Sequence, residues 1–180
     1  MRRTLIGCVS SLLLAGSAIA QDKPAGAPDM KNMGPMSRQP KKAQQDQKEL
    51  KKFYTDWNGC WKKADITAAA DMVDFPVMML TDSSKGEFKG EWWTRDQWVG
   101  VMKSMMDPAQ MKDVKFSSKE TCFLMSDDLA SCEITVSMQA GKMKGKFSSH
   151  NILTRTGGKW KIKEMMEAGW GDAPSPPSKT

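Results

Sequence analysis

Histidine and tyrosine are almost missing from this chain of 180 residues, which has one of each, His150 and Tyr54. A lone histidine cannot supply paired imidazole ligands, and no histidine or cysteine pair has zinc-site spacing. Beyond the first 20 residues no apolar run is long enough to cross a membrane. The net charge of +6 comes from scattered lysines rather than one basic element. We therefore expect no cofactor, no membrane span and no nucleic-acid partner.

The amino terminus has the three parts of a secretory signal peptide. Arg2 and Arg3 precede an apolar run that is too short for a membrane helix, and small residues end it at Ala20. We expect cleavage near Ala20, so that residues 1–20 are removed and the protein works in the periplasm or outside the cell.

Composition divides the rest of the chain into three parts. Residues 21–44 contain four prolines and no aromatic residue, which is typical of a disordered linker because such a segment cannot bury a core. Residues 172–180 contain three more prolines and have the same character. A single folded domain is therefore expected at residues 45–171.

Apolar periodicity predicts three helices in this domain. The first covers residues 45–63 and carries an aromatic stripe. Asp65 is a predicted N-cap for a second helix, which includes Val73 and is stopped by Phe75-Pro76. Thr94 and Gln97 have the spacing of a capping box before a third helix.

Six strands accompany these helices. A short buried strand is predicted at residues 77–80 and a half-buried one at 88–92. A four-strand meander follows at 114–125, 130–139, 146–155 and 159–167, with Gly157-Gly158 as its last turn. The element order predicts an α+β fold, with three helices packed on a mostly antiparallel six-stranded sheet.

The Trp-rich first helix, Asp65, Phe75-Pro76-Val77 and the closing segment 157–162 together resemble the nuclear transport factor 2-like superfamily, in particular its secreted SnoaL-like members. The resemblance implies a cystatin-like cone, in which a strongly bent sheet wraps against the helices and opens on a ligand pocket. It also implies a homodimer through the outer face of the sheet. Members include isomerases, dehydratases and cyclases as well as proteins without catalysis, so the fold does not decide the function.

The catalytic residues of the family's isomerases are not carried over. The position of their helix tyrosine falls near Trp57, which has no hydroxyl group, and strand 77–80 has no ionisable side chain. We therefore predict a ligand-binding or interaction domain without catalytic residues, which takes an apolar small molecule. Its predicted pocket residues are Tyr54, Trp57, Trp61, Phe75, Trp92, Trp98 and Asn151.

Two alternatives stay open at this point. An isomerase, dehydratase or cyclase could use an acid or base that the comparison with the family misses, and the candidates are Asp74, Asp82, Glu164 and His150. Copper(I) could instead bind the linker through Met30, Met33 and Met36, because thioether sulfur is a soft ligand.

Three cysteines remain after the signal peptide, so one disulfide is expected in an oxidising compartment. Cys122 and Cys132 flank a predicted hairpin turn and would face each other across two strands. A bridge between Cys60 and Cys132 is the rival pairing, and three buried free thiols are the third alternative.

Alkylation of the non-reduced protein followed by mass spectrometry separates these cases. The Cys122–Cys132 bridge predicts label on Cys60 alone, because only that thiol would be free to react. Label on both Cys122 and Cys132 would exclude this bridge.

Overall fold

The computed structural model describes residues 34, 37–106 and 113–173. The helices are α1 (Ala43–Lys62), α2 (Ile66–Asp71) and α3 (Arg95–Met105). The strands are β1 (Val73–Asp82), β2 (Phe88–Trp93), β3 (Val114–Ser126), β4 (Leu129–Ala140), β5 (Met143–Thr156) and β6 (Lys159–Glu167).

The strands form one six-stranded sheet in the order β2-β1-β6-β5-β4-β3. All neighbours are antiparallel except β1 and β6, which run parallel. The sheet is open, with β2 and β3 at its two edges. This architecture confirms the predicted α+β fold.

Local side-chain chemistry fixes the starts of two helices. The Asp65 carboxylate accepts the amide hydrogen of Ala68 at 3.0 Å and caps α2. Thr94 and Gln97 form the predicted capping box at the start of α3, where each side chain accepts the backbone hydrogen of the other residue. The first helix begins at Ala43, two residues before the predicted start.

The predicted extent of the second helix is wrong. We assigned Val73 to that helix and began the first strand at residue 77, but β1 already begins at Val73, which is buried and pairs with Ile162 of β6. The pairing register shifts between Val73 and Met78, a stretch that contains the cis peptide bond Phe75-Pro76. The proline therefore lies in an irregularity within the strand rather than before it, which is one of the few places where a sheet accepts proline.

One face of the sheet packs against the helices, and we call it the inner face. Alternation along each strand, with the pairing register, assigns residues to this face. Its core side chains come from β1, β3, β4, β5 and β6: Val73, Val77, Leu124, Ala130, Cys132, Ile134, Leu153, Trp160, Ile162 and Met165. Leu50, Phe53 and Tyr54 of α1 and Trp98 of α3 complete the core from the helix side.

A largely buried arginine, whose side chain is 18% exposed, joins the start of α1 to the sheet. One guanidinium nitrogen of Arg155 lies 2.7 Å from Asp46, whose side chain is 2% exposed, and another lies 2.7 Å from Glu49. The Arg155 Nε group donates to the carbonyl of Asp127 in the β3–β4 turn at 3.1 Å. The guanidinium carbon is 4.4 Å from the centre of the Trp160 ring. Arg155 therefore ties together α1, the β3–β4 turn and the β5–β6 hairpin.

Replacing Arg155 should lower the free energy of unfolding far more than replacing an exposed arginine does. Arg155→Leu leaves the Asp46 carboxylate buried without a counter-ion, and removing one partner of such a pair costs about 3 to 5 kcal/mol of unfolding free energy. Arg95→Leu is the matched control, because it removes an exposed ion pair with Asp71 and should cost below about 1 kcal/mol. Urea denaturation measures both values, and equal losses would contradict the role given to Arg155.

Candidate functional site

A group of polar side chains lies between α1 and the inner face, next to the apolar core; two of its members are buried and three are half-buried. We call Tyr54, Asn58, Ser118, Glu120 and Asn151 the polar cluster. The Asn58 amide donates to Ser118 Oγ at 2.6 Å and to Glu120 Oε1 at 3.0 Å, and Ser118 Oγ donates to the same carboxylate. The Asn151 amide donates to the hydroxyl oxygen of Tyr54 at 3.3 Å. The cluster therefore links one helix to strands β3 and β5.

Tyr54 is a neutral hydrogen-bonding group in this setting. Its side chain is 2% exposed, and burial raises the pKa of its phenol above the ordinary value. The nearby Glu120 charge acts in the same direction. Because the phenol stays protonated, it is suited to donating a hydrogen bond but not to acting as a base near neutral pH.

A second polar group lies at the carboxyl end of β6. Glu167 is half-buried on the inner face, directly opposite Ser149 of β5. Its carboxylate accepts a hydrogen bond from the indole N–H of Trp170 at 3.0 Å, while the Trp170 backbone N–H donates to Thr81 of β1 at 3.0 Å. Burial raises the pKa of Glu167, so this side chain retains its proton to higher pH than an exposed glutamate.

The segment after β6 is fastened to the end of β1. The amide of Gly169 donates to the Asp82 carboxylate at 2.6 Å, and the amide of Gly171 donates to the Asp82 carbonyl at 2.8 Å. A Cβ atom on Gly171 would lie 2.5 Å from that carbonyl oxygen, so the close approach requires glycine here. These contacts hold the Trp170 indole next to Glu167.

Three of the predicted pocket aromatics gather around a fourth, the fully buried ring of Trp98. The centre of the Trp98 ring lies 6.3 Å from that of Trp57, 6.0 Å from Trp61 and 6.1 Å from Phe75. Trp98 is 0% exposed, whereas the other three are half-buried. Trp57 lies one helical turn after Tyr54, so this aromatic cluster adjoins the polar cluster.

The structure does not bring Trp92 to this group. It lies on the opposite, outer face of the sheet, is 55% exposed, and has the Lys163 ammonium 5.6 Å from its ring centre. Alternation along β2 puts Phe88, Gly90 and Trp92 on one face, as expected, but that face is the outer one.

The four candidate acids and bases also lie away from the polar cluster. Glu164 and His150 point to the outer face by register, and His150 Nε2 is 2.8 Å from Ser131 Oγ. Asp74 lies 3.7 Å from Lys163, and Asp82 holds the segment after β6. None of these four side chains therefore provides the acid or base of an inner-face site.

Sequence reasoning missed Asn58, Ser118, Glu120, Glu167 and Trp170. The positions of Ser118 and Glu120 could have been predicted, because alternate residues of a strand share a face and these two alternate with Cys122 and Leu124 along β3. No such signal was available for Glu167, since a register shift between Ile152 and Leu153 reverses the alternation along β6.

Cys122 and Cys132 form a disulfide, and Cys60 is a free thiol. Within the described ranges, no cluster of three histidine, cysteine or acidic side chains could hold a metal ion. Met30, Met33 and Met36 lie outside these ranges, so copper binding stays a prediction. No helix in the described part of the chain is long and apolar enough to cross a membrane.

A family model for the SnoaL-like domain matches residues 50–167. The chain belongs to the SnoaL-like domain family. The matched region contains every member of the polar cluster and ends at Glu167. No curated protein sequence matches the chain significantly.

Solved structures with the nuclear transport factor 2-like or cystatin-like fold are similar to this domain. A protein of unknown function from Shewanella oneidensis is 13% identical, with 68% of this chain and 98% of that chain covered and a TM-score of 0.56. A cystatin-like domain of unknown function from Nostoc punctiforme is 11% identical, with coverage of 68% and 76% and a TM-score of 0.54. A candidate scytalone dehydratase from Novosphingobium aromaticivorans is 10% identical, with coverage of 72% and 95% and a TM-score of 0.53. Likeness at these identities shows the fold alone.

The two perturbed glutamates should affect stability in opposite pH ranges. Burial raises the pKa of Glu167 above 4.5, so its contribution is complete below that pH and is lost as pH rises through the folded-state pKa. Hydrogen bonding to Arg155 lowers the pKa of Glu49 below 4.5, so its contribution is present above that pH and is lost as pH falls through the folded-state pKa.

Urea midpoints measured across pH test this contrast. Glu167→Gln should reduce the loss of stability between pH 4.5 and neutrality, and Glu49→Gln should reduce the loss below pH 4.5. If the urea midpoint of the Glu167→Gln variant fell with pH above 4.5 as steeply as that of the wild type, the raised pKa of Glu167 would be contradicted.

Proposed function

We propose that the inner face binds a small, largely apolar molecule that carries one hydrogen-bond acceptor, such as a ketone oxygen. The observation that carries the proposal is the polar cluster, in which Tyr54 and Asn151 are buried, next to the aromatic cluster. Ligand sites commonly combine an apolar lining with a few convergent polar groups. A solved structure with this fold is named as a candidate scytalone dehydratase, which agrees with a small-molecule site.

The polar cluster supports recognition of an acceptor. The Tyr54 oxygen already accepts the Asn151 hydrogen bond, which leaves the phenol hydrogen as a donor. Glu167 adds a second donor whenever it is protonated, and its raised pKa extends the pH range in which that holds. A charged ligand fits this arrangement poorly, because Glu120 would repel an anion and burial would cost a cation its hydration.

The aromatic cluster supports an apolar ligand body. Trp57, Trp61 and Phe75 are only half-buried, so part of each ring is free to contact a ligand. Trp98 is completely buried and acts as the support behind them. We therefore infer a site between Trp57 and the polar cluster, with Trp170 at its Glu167 side.

Titrating intrinsic fluorescence with decalone, decalol and decalin tests the proposal. These probes share one apolar skeleton and differ only in the oxygen group. Decalone should bind more tightly than decalin, and Tyr54→Phe should weaken decalone binding roughly tenfold, which corresponds to about 1 to 1.5 kcal/mol for one hydrogen bond. Decalin binding should be nearly unaffected by that substitution.

Ser131→Ala provides the control, because it removes a hydroxyl from the outer face. It should leave the affinity for all three probes unchanged. The proposal would be overturned if none of the probes changed the fluorescence, or if the Tyr54→Phe variant bound decalone as tightly as the wild type does.

An isomerase or dehydratase activity is the second candidate function. The specific observation in its favour is Glu167, a half-buried carboxyl with a raised pKa on the inner face, since catalytic acids and bases are often tuned in this way. Proton exchange at the carbon next to the decalone carbonyl, followed by NMR in deuterated water, tests it. If Glu167 is the catalytic group, the Glu167→Gln variant should still bind decalone but should no longer catalyse the exchange. Exchange that continues in this variant would exclude Glu167 as the catalytic acid or base.

We further propose that two copies pair through the outer faces of their sheets. One cross-strand row runs Phe123, Ser131, Ile152, Glu164, Met78 and Trp92. Phe123 is 70% exposed and Trp92 55% exposed, and apolar exposure on this scale favours an interface. A two-fold axis would pair the row with its own copy.

Sedimentation equilibrium tests the pairing. The double variant Phe123→Lys, Trp92→Lys should be monomeric at concentrations where the wild type is dimeric. Met143→Lys, which alters an equally exposed side chain away from this row, should stay dimeric. A monomeric wild type contradicts the pairing.

We also propose that the chain is exported and cleaved near Ala20. The Cys122–Cys132 disulfide supports this, because such bonds persist in oxidising compartments. The intact mass of protein recovered from the periplasm of a bacterial host should begin at Gln21. Recovery of the full chain from the cytoplasm alone would contradict export.

A further inference from the structure

A group of lysines occupies the outer face of the sheet at the ends of β3, β4 and β5. Gln139 of β4 pairs with Lys115 of β3 on one side and with Lys144 of β5 on the other. The next row on the same face contains Ser117, Ser137 and Lys146. All three lysines therefore point to the same side of the sheet, because residues two apart on a strand share a face.

These rows border an open groove with a volume of about 460 Å³. Nine residues line it. The outer-face side chains among them are Lys115, Ser117, Ser137, Gln139, Lys144 and Lys146, and the row between them adds Phe116, Met138 and Gly145. None of the outer-face side chains is acidic, while two hydroxyl groups and one amide lie between the ammonium groups. The outer-face part of the lining thus combines positive charge with neutral hydrogen-bond donors, which is the chemistry that receives phosphate oxygens.

The positive charge of this groove is not balanced by the described residues. Lys115, Lys144 and Lys146 form no ion pair within the described ranges. Along β4 the first acidic residue is Glu133, which pairs with Thr121 and His150 two rows further from the groove. Asp113 precedes β3 and does not line the groove.

The spacing of the lysines favours an extended anion over a single small ion. Lys144 and Lys146 lie two residues apart on one strand, about 7 Å between Cα atoms, and Lys115 lies two strands away, about 10 Å. A chain of linked phosphates can place a separate phosphate next to each ammonium group without drawing the three side chains together, whereas one compact anion would have to gather all three at a single point. Gathering like charges without counter-charge opposes folding, and a bound polyanion relieves that repulsion.

We propose that this groove is a second binding site, distinct from the inner face, for a ligand that presents several linked or closely spaced phosphate groups. The phosphates come either from a soluble oligophosphate or from the headgroups of anionic lipid. The site does not depend on the function proposed for the inner face.

Calorimetric titration with inorganic tripolyphosphate at low ionic strength tests the soluble source. The triple variant Lys115→Ala, Lys144→Ala, Lys146→Ala should lose at least about tenfold in affinity. The matched control Lys48→Ala, Lys51→Ala, Lys62→Ala removes the same charge from exposed positions on α1 and should bind nearly as the wild type does. Replacing the three groove lysines with arginine should preserve binding, which separates loss of charge from loss of folding.

Co-sedimentation with vesicles tests the lipid source. Phosphatidylcholine vesicles are compared with vesicles that also contain phosphatidylglycerol, and binding to the latter alone, lost in the groove variant, identifies lipid headgroups. Tripolyphosphate binding without vesicle binding identifies a soluble ligand. Equal losses in the groove variant and the α1 control, or no binding of the wild type to either probe, would overturn the proposal.

Discussion

The buried ion pair between Asp46 and Arg155 sets the position of α1, and the inner-face site depends on that position. Asp46 lies at the start of the helix, and Arg155 lies near the end of β5. Tyr54 follows Asp46 by eight residues, about 12 Å along a helix. Asn151 precedes Arg155 by four residues, about 13 Å along a strand. Because the two lengths match, the ion pair and the Tyr54–Asn151 hydrogen bond fasten α1 to β5 at two points.

This attachment determines which residues of α1 face the sheet on both sides of Tyr54. Asn58, one turn after Tyr54, reaches Ser118 and Glu120 on β3. Before Tyr54, the Gln47 amide donates to the Cys122 carbonyl at 3.0 Å. The Cys122–Cys132 disulfide joins β3 to β4 on the inner face beneath the helix. The polar cluster is thus built from elements that are held by a charge pair, by hydrogen bonds and by a covalent bridge.

Local chemistry made much of the fold predictable. The caps at Asp65 and Thr94 depend on side chains three residues from their partners, and both could be seen in the sequence. The face of a strand could not be predicted in the same way. Alternation places Trp92 on the same face of β2 as Phe88, but it does not say whether that face meets the helices. The register shifts in β1 and β6 also mean that alternation cannot be continued from one end of these strands to the other. Glu167 was missed for that reason, because its inner position follows from pairing with Ser149.

The central claim is that a ligand binds the inner face between the aromatic and polar clusters. The most direct test is a proton–nitrogen correlation spectrum of the seven tryptophan indoles, assigned by single substitutions, recorded as decalone is added. The account predicts that the resonances of Trp57 and Trp170 shift with a common affinity while that of Trp92, on the outer face, does not move. A shift of Trp92 with Trp57 and Trp170 unchanged would contradict it.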